Sequence, residues 1–233
     1  MAIPGGSVLA MLGGLVDQPM GPAMRMDWRK VHIAFVNHRV VPPGAEKCAY
    51  TLAKSSFLDA LPTQPHVLTV DGSLSPQEEA DRYAAGIQTM MNKAGMGTDP
   101  ITRLPQFDLV VLGMGKDGHV ASLYPGADAT EETGQDGAVV AKSVVAQSKA
   151  DGTGSVTFTP AQLSSAKQVV ICLTGQSKAD AVAKALEGGV APKEAPAALV
   201  RPRDLGAEVV WLMDAPGASE LGVYKGMRAL VDR

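Results

Sequence analysis

Aromatic side chains make up only 4% of the 233 residues, too few for the stacking platforms on which single-stranded nucleic acids lie. Positive charge is not in excess either. The formal net charge is -3, which gives neither nucleic acid nor an anionic membrane surface a reason to bind. Cysteine is nearly absent: Cys48 and Cys172 stand far apart, outside any C-x-x-C or His-Cys cluster. That argues against a disulfide scaffold and suits a reducing compartment. No apolar run approaches the roughly 18 residues that a bilayer-spanning helix needs. The N-terminal stretch holds Gly5, Gly6 and Asp17 but no basic cluster ahead of an apolar one, so it does not read as a secretory signal. What is left is ordinary globular composition, 45% hydrophobic and 19% charged, at a length that suits one α/β domain over residues 1–233.

The chain is organised around residues 107–126, FDLVVLGMGKDGHVASLYPG. Residues 107–112 form an apolar run of strand length, as expected of a parallel strand buried on both faces. Gly113, Gly115 and Gly118 follow closely, where the backbone can turn sharply or let a ligand approach. Residues 119–124 can then start a helix. Strand, glycine turn and helix start together describe a ligand site beyond the carboxyl end of a strand, where free backbone N–H groups favour anions and developing oxyanions. Asp117 and His119 stand at that edge. The glycines formally match G-x-G-x-x-G, but no clear acidic residue ends a second strand roughly 20 residues on, which speaks against a dinucleotide.

Other elements are read the same way. Residues 28–41 alternate and then become continuously apolar, as a sheet strand does, until Pro42, Pro43 and Gly44 end it. Residues 46–61 carry apolar side chains at helical spacing up to Pro62. His66 opens a short strand over 66–70 as a structural residue. Ser75-Pro76-Gln77-Glu78 is a capping box ahead of a helix to about Lys93. A modest strand is expected over 138–145 inside a Gly-, Ala-, Asp- and Thr-rich loop. Residues 168–173 and 208–213 are further apolar strands, with Trp211 in the core. Between them Thr174-Gly175-Gln176-Ser177-Lys178 leads into an alanine-rich helix to Leu186, stopped by Gly188-Gly189. Ser7, after Pro4-Gly5-Gly6, is a natural N-cap. Cys48 reads as a small packed or capping residue.

The string over 107–126 closely resembles the signature of the 6-phosphogluconolactonase family, F-D-L-x-L-L-G-M-G-x-D-G-H-x-A-S-L-F-P, with Tyr124 for the usual Phe. Pro4-Gly5-Gly6-Ser7 resembles the family's first active-site loop, and Thr174 to Lys178 its T-G-x-x-K. The resemblance runs from about Ile3 to Ala215 and is nearest to plant-type members. It implies an α/β, Rossmann-like fold with a mostly parallel sheet flanked by helices on both faces. It also implies a helix and most of a strand ahead of the first loop, so that the first strand here is expected to be short.

By the same resemblance the chain hydrolyses 6-phospho-D-glucono-1,5-lactone to 6-phosphogluconate, in the cytoplasm or plastid stroma, with no metal and no cofactor. His119 is then the general base, suited by an imidazole that ordinarily titrates close to neutrality. Asp117 orients it or the loop. Backbone N–H groups of the Gly115 to Gly118 turn meet the oxyanion, and Gly5, Gly6, Ser7, Arg39 and Lys178 hold the substrate. At five positions the chain departs from the family pattern: Asn37, His38, Lys47, Cys48 and Ser155, the last standing where the family has an arginine. Lys142, Lys149 or Arg201 could supply that charge. The departures support an opposing expectation, a catalytically impaired member that binds a sugar phosphate or serves as a structural subunit with protein partners. An aminosugar-phosphate isomerase or deaminase is a third.

Overall fold

The computed structural model describes residues 1–16, 26–128, 142–148, 153–202, 204 and 206–223. In chain order its elements are β1 (Ala2–Ile3), α1 (Val8–Leu12), β2 (His32–Phe35), β3 (Asn37–Arg39), α2 (Ala49–Ser56), β4 (His66–Val67) and α3 (Pro76–Ala94). There follow β5 (Val110–Gly113), β6 (Val144–Ser148), β7 (Gly154–Phe158), α4 (Pro160–Ser164), β8 (Gln168–Leu173), α5 (Ala179–Glu187) and β9 (Glu208–Met213). Six strands make a parallel sheet in the order β4-β2-β1-β5-β8-β9, and β3-β7-β6 form a separate antiparallel sheet.

Alternation along the parallel strands explains why helices cover both faces. Ala2, Ala34, Val110, Leu112, Val169 and Ile171 pack with Tyr83 and Ile87 of α3, Leu163 of α4 and Val182 of α5. Their neighbours Ile3, Ile33 and Phe35 point the other way, to Leu9 and Leu12 of α1 and Ala49 and Ala53 of α2. A strand buried on both faces has no polar alternation to display, which is why residues 168–173 read as one apolar run. The mostly parallel α/β architecture is the one expected. No helix among the described residues is long and apolar enough to cross a membrane.

Five local expectations need correction. The stretch 28–41 is not one strand: Trp28–Lys30 is a 3-10 turn, β2 joins the parallel sheet, and β3 leaves it to pair with β7. The exit is made at Val36, whose amide bonds to Ile3 O in one sheet and whose carbonyl accepts from Phe158 of the other. Residues 119–124 form no helix, because Ala121 takes a left-handed φ of 52° and Val120 makes single bridges to Met114 and Leu123. The expected helix over 46–61 is α2 followed by a 3-10 turn at Leu58–Ala60. Trp211 is half-buried on the edge strand β9, packed against the core and not inside it. The strand expected over 138–145 begins at Val144: Lys142 and Ser143 are not part of it, and residues 138–141 lie outside the described ones.

Candidate active site

From β1 the chain moves outward through β2 to β4, and from β5 it moves the opposite way through β8 to β9. Because β1 and β5 are neighbours, the connections leaving their carboxyl ends part there, and such a parting opens a crevice. A cavity of about 670 Å³ occupies it. Its walls are Pro4 to Val8 after β1, Asn37 and Arg39 of β3, and Glu46, Lys47 and Ala49 at the entrance to α2. Gly113 to Gly115, His119 and Tyr124 after β5 and Lys178 after β8 complete it.

The imidazole of His119 is fixed from two sides. Its Nδ1 lies 2.6 Å from Asp117 Oδ1. An ionised carboxylate only accepts, so Nδ1 carries the proton, and in the neutral ring Nε2 is the nitrogen that keeps its lone pair. The Tyr124 ring packs against it at 4.8 Å between centroids. The side chain is 33% exposed, so the ring meets solvent in the cavity and is not turned into the interior. Burial pushes the Asp117 carboxyl up, but the bonds it accepts from the ring and amide of His119 outweigh this and hold it below the usual carboxylate range. Gly115 makes room for the ring: a Cβ there would stand 2.2 Å from both Cε1 and Nδ1 of His119.

Two amides of the glycine turn are taken up by the turn itself. Gly115 N bonds to His119 O at 2.9 Å and Gly118 N to Gly115 O at 3.1 Å, so both are used in closing the turn. Gly118, with a φ of 87°, is not on the cavity wall, and its missing Cβ would point at Ala181. On the wall itself, the amides of Gly5, Gly6 and Ser7 have no acceptor among the described residues. Ser7 stands at the N-cap of α1 without a side-chain capping bond, which leaves its hydroxyl for the cavity.

Three cations line this cavity, Arg39, Lys47 and Lys178, against one acid, Glu46. None of the three is in an ion pair among the described residues. Lys178 is placed by the turn after β8. Asp214, beyond β9, accepts from Gly175 N at 2.9 and 3.1 Å and from Gly217 N at 2.9 Å, which holds that turn. These amides, first Gly175 and then Gly217, keep its carboxyl below the usual range.

Of the residues singled out in the sequence, Gly5, Gly6, Ser7, Arg39, Gly115, His119 and Lys178 meet at one cavity, with Asp117 behind the imidazole. Lys47 and Asp214 were not picked out as functional. Lys47 stands out in the sequence only as a departure from the family pattern, and Asp214 only as a charged residue at a strand end. Ser155 bonds to Ser122, which also accepts from Asn37 Nδ2 at 3.1 Å, a wholly neutral chain. Arg201 does not supply the charge missing at Ser155, since its guanidinium bonds to Ala198 O away from the cavity, and Lys142 is not on the wall. Lys149 lies outside the described residues.

Residues 1–211 match the family model described as glucosamine-6-phosphate isomerases/6-phosphogluconolactonase. A probable 6-phosphogluconolactonase 1 of Arabidopsis thaliana is 31% identical over 97% of this chain and 82% of its own length. The chloroplastic 6-phosphogluconolactonase 3 of the same plant is 35% identical over 95% of this chain, which spans 65% of that relative. The solved structure of 6-phosphogluconolactonase from Trypanosoma brucei superposes with a TM-score of 0.70 at 27% identity, covering 95% of this chain and 86% of that one.

Proposed function

The chain belongs to the family of glucosamine-6-phosphate isomerases and 6-phosphogluconolactonases, and from that premise we propose that it hydrolyses 6-phospho-D-glucono-1,5-lactone to 6-phosphogluconate. Lactonases, not isomerases, are the plant relatives at 31% and 35% identity. One observation carries the reading: a His119 imidazole held through Nδ1 by Asp117 shares a cavity with Arg39, Lys47 and Lys178.

In this reading Nε2 takes a proton from a water as its oxygen adds to the lactone carbonyl, a role for which the Asp117 carboxylate fixes the tautomer and steadies the imidazolium. Charge gathers on the former carbonyl oxygen, which the unoccupied amides of Gly6 and Ser7 can meet. Collapse of the tetrahedral intermediate breaks the bond to the ring oxygen, and that oxygen receives the proton from Nε2 as it becomes a hydroxyl. The phosphate stays outside the bond changes. Its charge belongs with the three cations, where an arginine fork and two ammonium groups bind a dianion without having to break ion pairs first.

The test is lactone hydrolysis by the purified chain and by His119→Ala. The expected result is acceleration by the wild type and a kcat lower by about 10²- to 10⁴-fold in the variant. A folded wild type that matches the uncatalysed rate, or that deaminates glucosamine 6-phosphate instead, defeats the assignment.

A further inference from the structure

His38 sits between Asn37 and Arg39, which both line the cavity, but its own side chain turns away from it and is 1% exposed. Its Nδ1 lies 2.7 Å from Arg39 O. A carbonyl can only accept, so the proton of the neutral ring is on Nδ1 and Nε2 is an acceptor. What faces Nε2 is the Cys48 sulfur, at 3.9 Å, the long end of a thiol hydrogen bond. Cys48 is itself 2% exposed and free of any disulfide. It occupies the N-cap of α2 yet makes no side-chain bond to that helix, so its S–H is directed to the imidazole.

The two residues are held from other sides as well. The Phe35 ring meets the imidazole edge-on at 5.3 Å. Burial lowers the His38 pKa, opposed by the bond to the Arg39 carbonyl and by the charge of Glu79. The ring is therefore kept neutral, the state in which Nε2 can accept. The contact spans the two strips of chain that carry cations. Arg39 adjoins His38 on β3, and Lys47 adjoins Cys48 at the start of α2.

We propose that His38 and Cys48 are positioning residues for substrate binding, their buried contact setting the separation of the Arg39 and Lys47 walls that a sugar phosphate bridges. The proposal rests on the lactonase reading for the identity of the ligand. It is tested by steady-state kinetics on the lactone with Cys48→Ala, Cys48→Val and Cys48→Ser. Ala and Val leave Nε2 without a donor and are expected to raise KM about three- to tenfold, with kcat within about twofold of wild type. Ser restores a donor and is expected to keep KM within about twofold. A role in packing alone predicts another order: serine, polar in an apolar site, lowers the unfolding midpoint most, and KM stays put. An unchanged KM in both Ala and Val, or a Ser variant as impaired as Ala, overturns the proposal. If the folded wild type does not open the lactone, only the lactonase reading falls. The same variants are then ranked by 6-phosphogluconate affinity in calorimetry, where weaker binding by Ala and Val but not Ser supports the positioning and equal affinity overturns it.

Discussion

Gly115 lacks the positive φ of Gly118 and Gly175, so alanine could adopt its backbone without strain. The constraint is the imidazole, against which a Cβ would stand at 2.2 Å. Gly115→Ala therefore displaces the His119 ring and the Asp117 carboxylate, from which the new Cβ would stand 2.7 Å, while the backbone bonds that close the turn can remain. Because misplacing a reacting group by about 1 Å can cost on the order of 10²-fold, kcat for lactone opening is expected to fall about that much, with the unfolding midpoint close to wild type. A kcat near wild type would show that the ring has a second productive position. A close approach at this glycine was legible in the sequence, which suggested a ligand there; the group that approaches is the His119 ring. Which amides the turn uses was not legible, because Gly115 N is occupied only once the chain closes back on His119 O. Lys47 was illegible for a different reason: a lysine before a helix is ordinarily a solvated one. The His38–Cys48 contact joins residues ten apart, whose meeting depends on β3 and α2 being brought together by the fold.

Elements whose cause is local were readable. The α3 capping box is made by residues three apart, with Ser75 Oγ accepting from Glu78 N and Ser75 N donating to Glu78 Oε2 at 3.0 Å. β8 and β9 span the residues expected of them because doubly or singly buried parallel strands are apolar runs bounded by turns. The departure of β3 from the parallel sheet was not readable, because apolar residues continue through Val36 without a break. Its cause is tertiary. Tyr83 of α3, fully buried, accepts from Phe35 N at 2.6 Å and directs its hydroxyl to Phe35 O at 3.1 Å and Leu68 O at 3.4 Å. It closes the sheet where β2 and β4 separate and so fixes where the chain turns off toward Arg39. Burial drives the phenol pKa well above its ordinary value, so it stays a neutral donor. Tyr83→Phe leaves the Phe35 amide buried without its acceptor and is expected to cost about 1–3 kcal/mol in urea unfolding. A loss below about 0.5 kcal/mol would mean that this hydroxyl does not hold the junction.

For the molecule as a whole, charge and topology act on the same place. The chain carries a net charge of -3, yet the crevice at the parting of β1 and β5 gathers Arg39, Lys47 and Lys178 around one Glu46. With none of the three in an ion pair among the described residues, these cations attract a phosphate dianion more strongly than they attract gluconate, which carries only the single charge of its carboxylate. Binding to the folded state alone stabilises by RT ln(1 + [L]/Kd), about 2.7 kcal/mol at a hundredfold excess over Kd. For a chain of this size that corresponds to a rise of about 5–10 °C in the unfolding midpoint. We expect 6-phosphogluconate to produce such a rise and gluconate at the same concentration to produce almost none. The rise should shrink as salt is added, because the cavity is open to solvent and its cations are screened over about 8–10 Å at ordinary ionic strength. Lys47→Ala and Lys178→Ala should each reduce it without altering the midpoint of the free protein by more than about 1–2 °C. Equal shifts from gluconate and 6-phosphogluconate would place recognition on the carboxylate and hydroxyls that the two share and remove the phosphate from the account of binding.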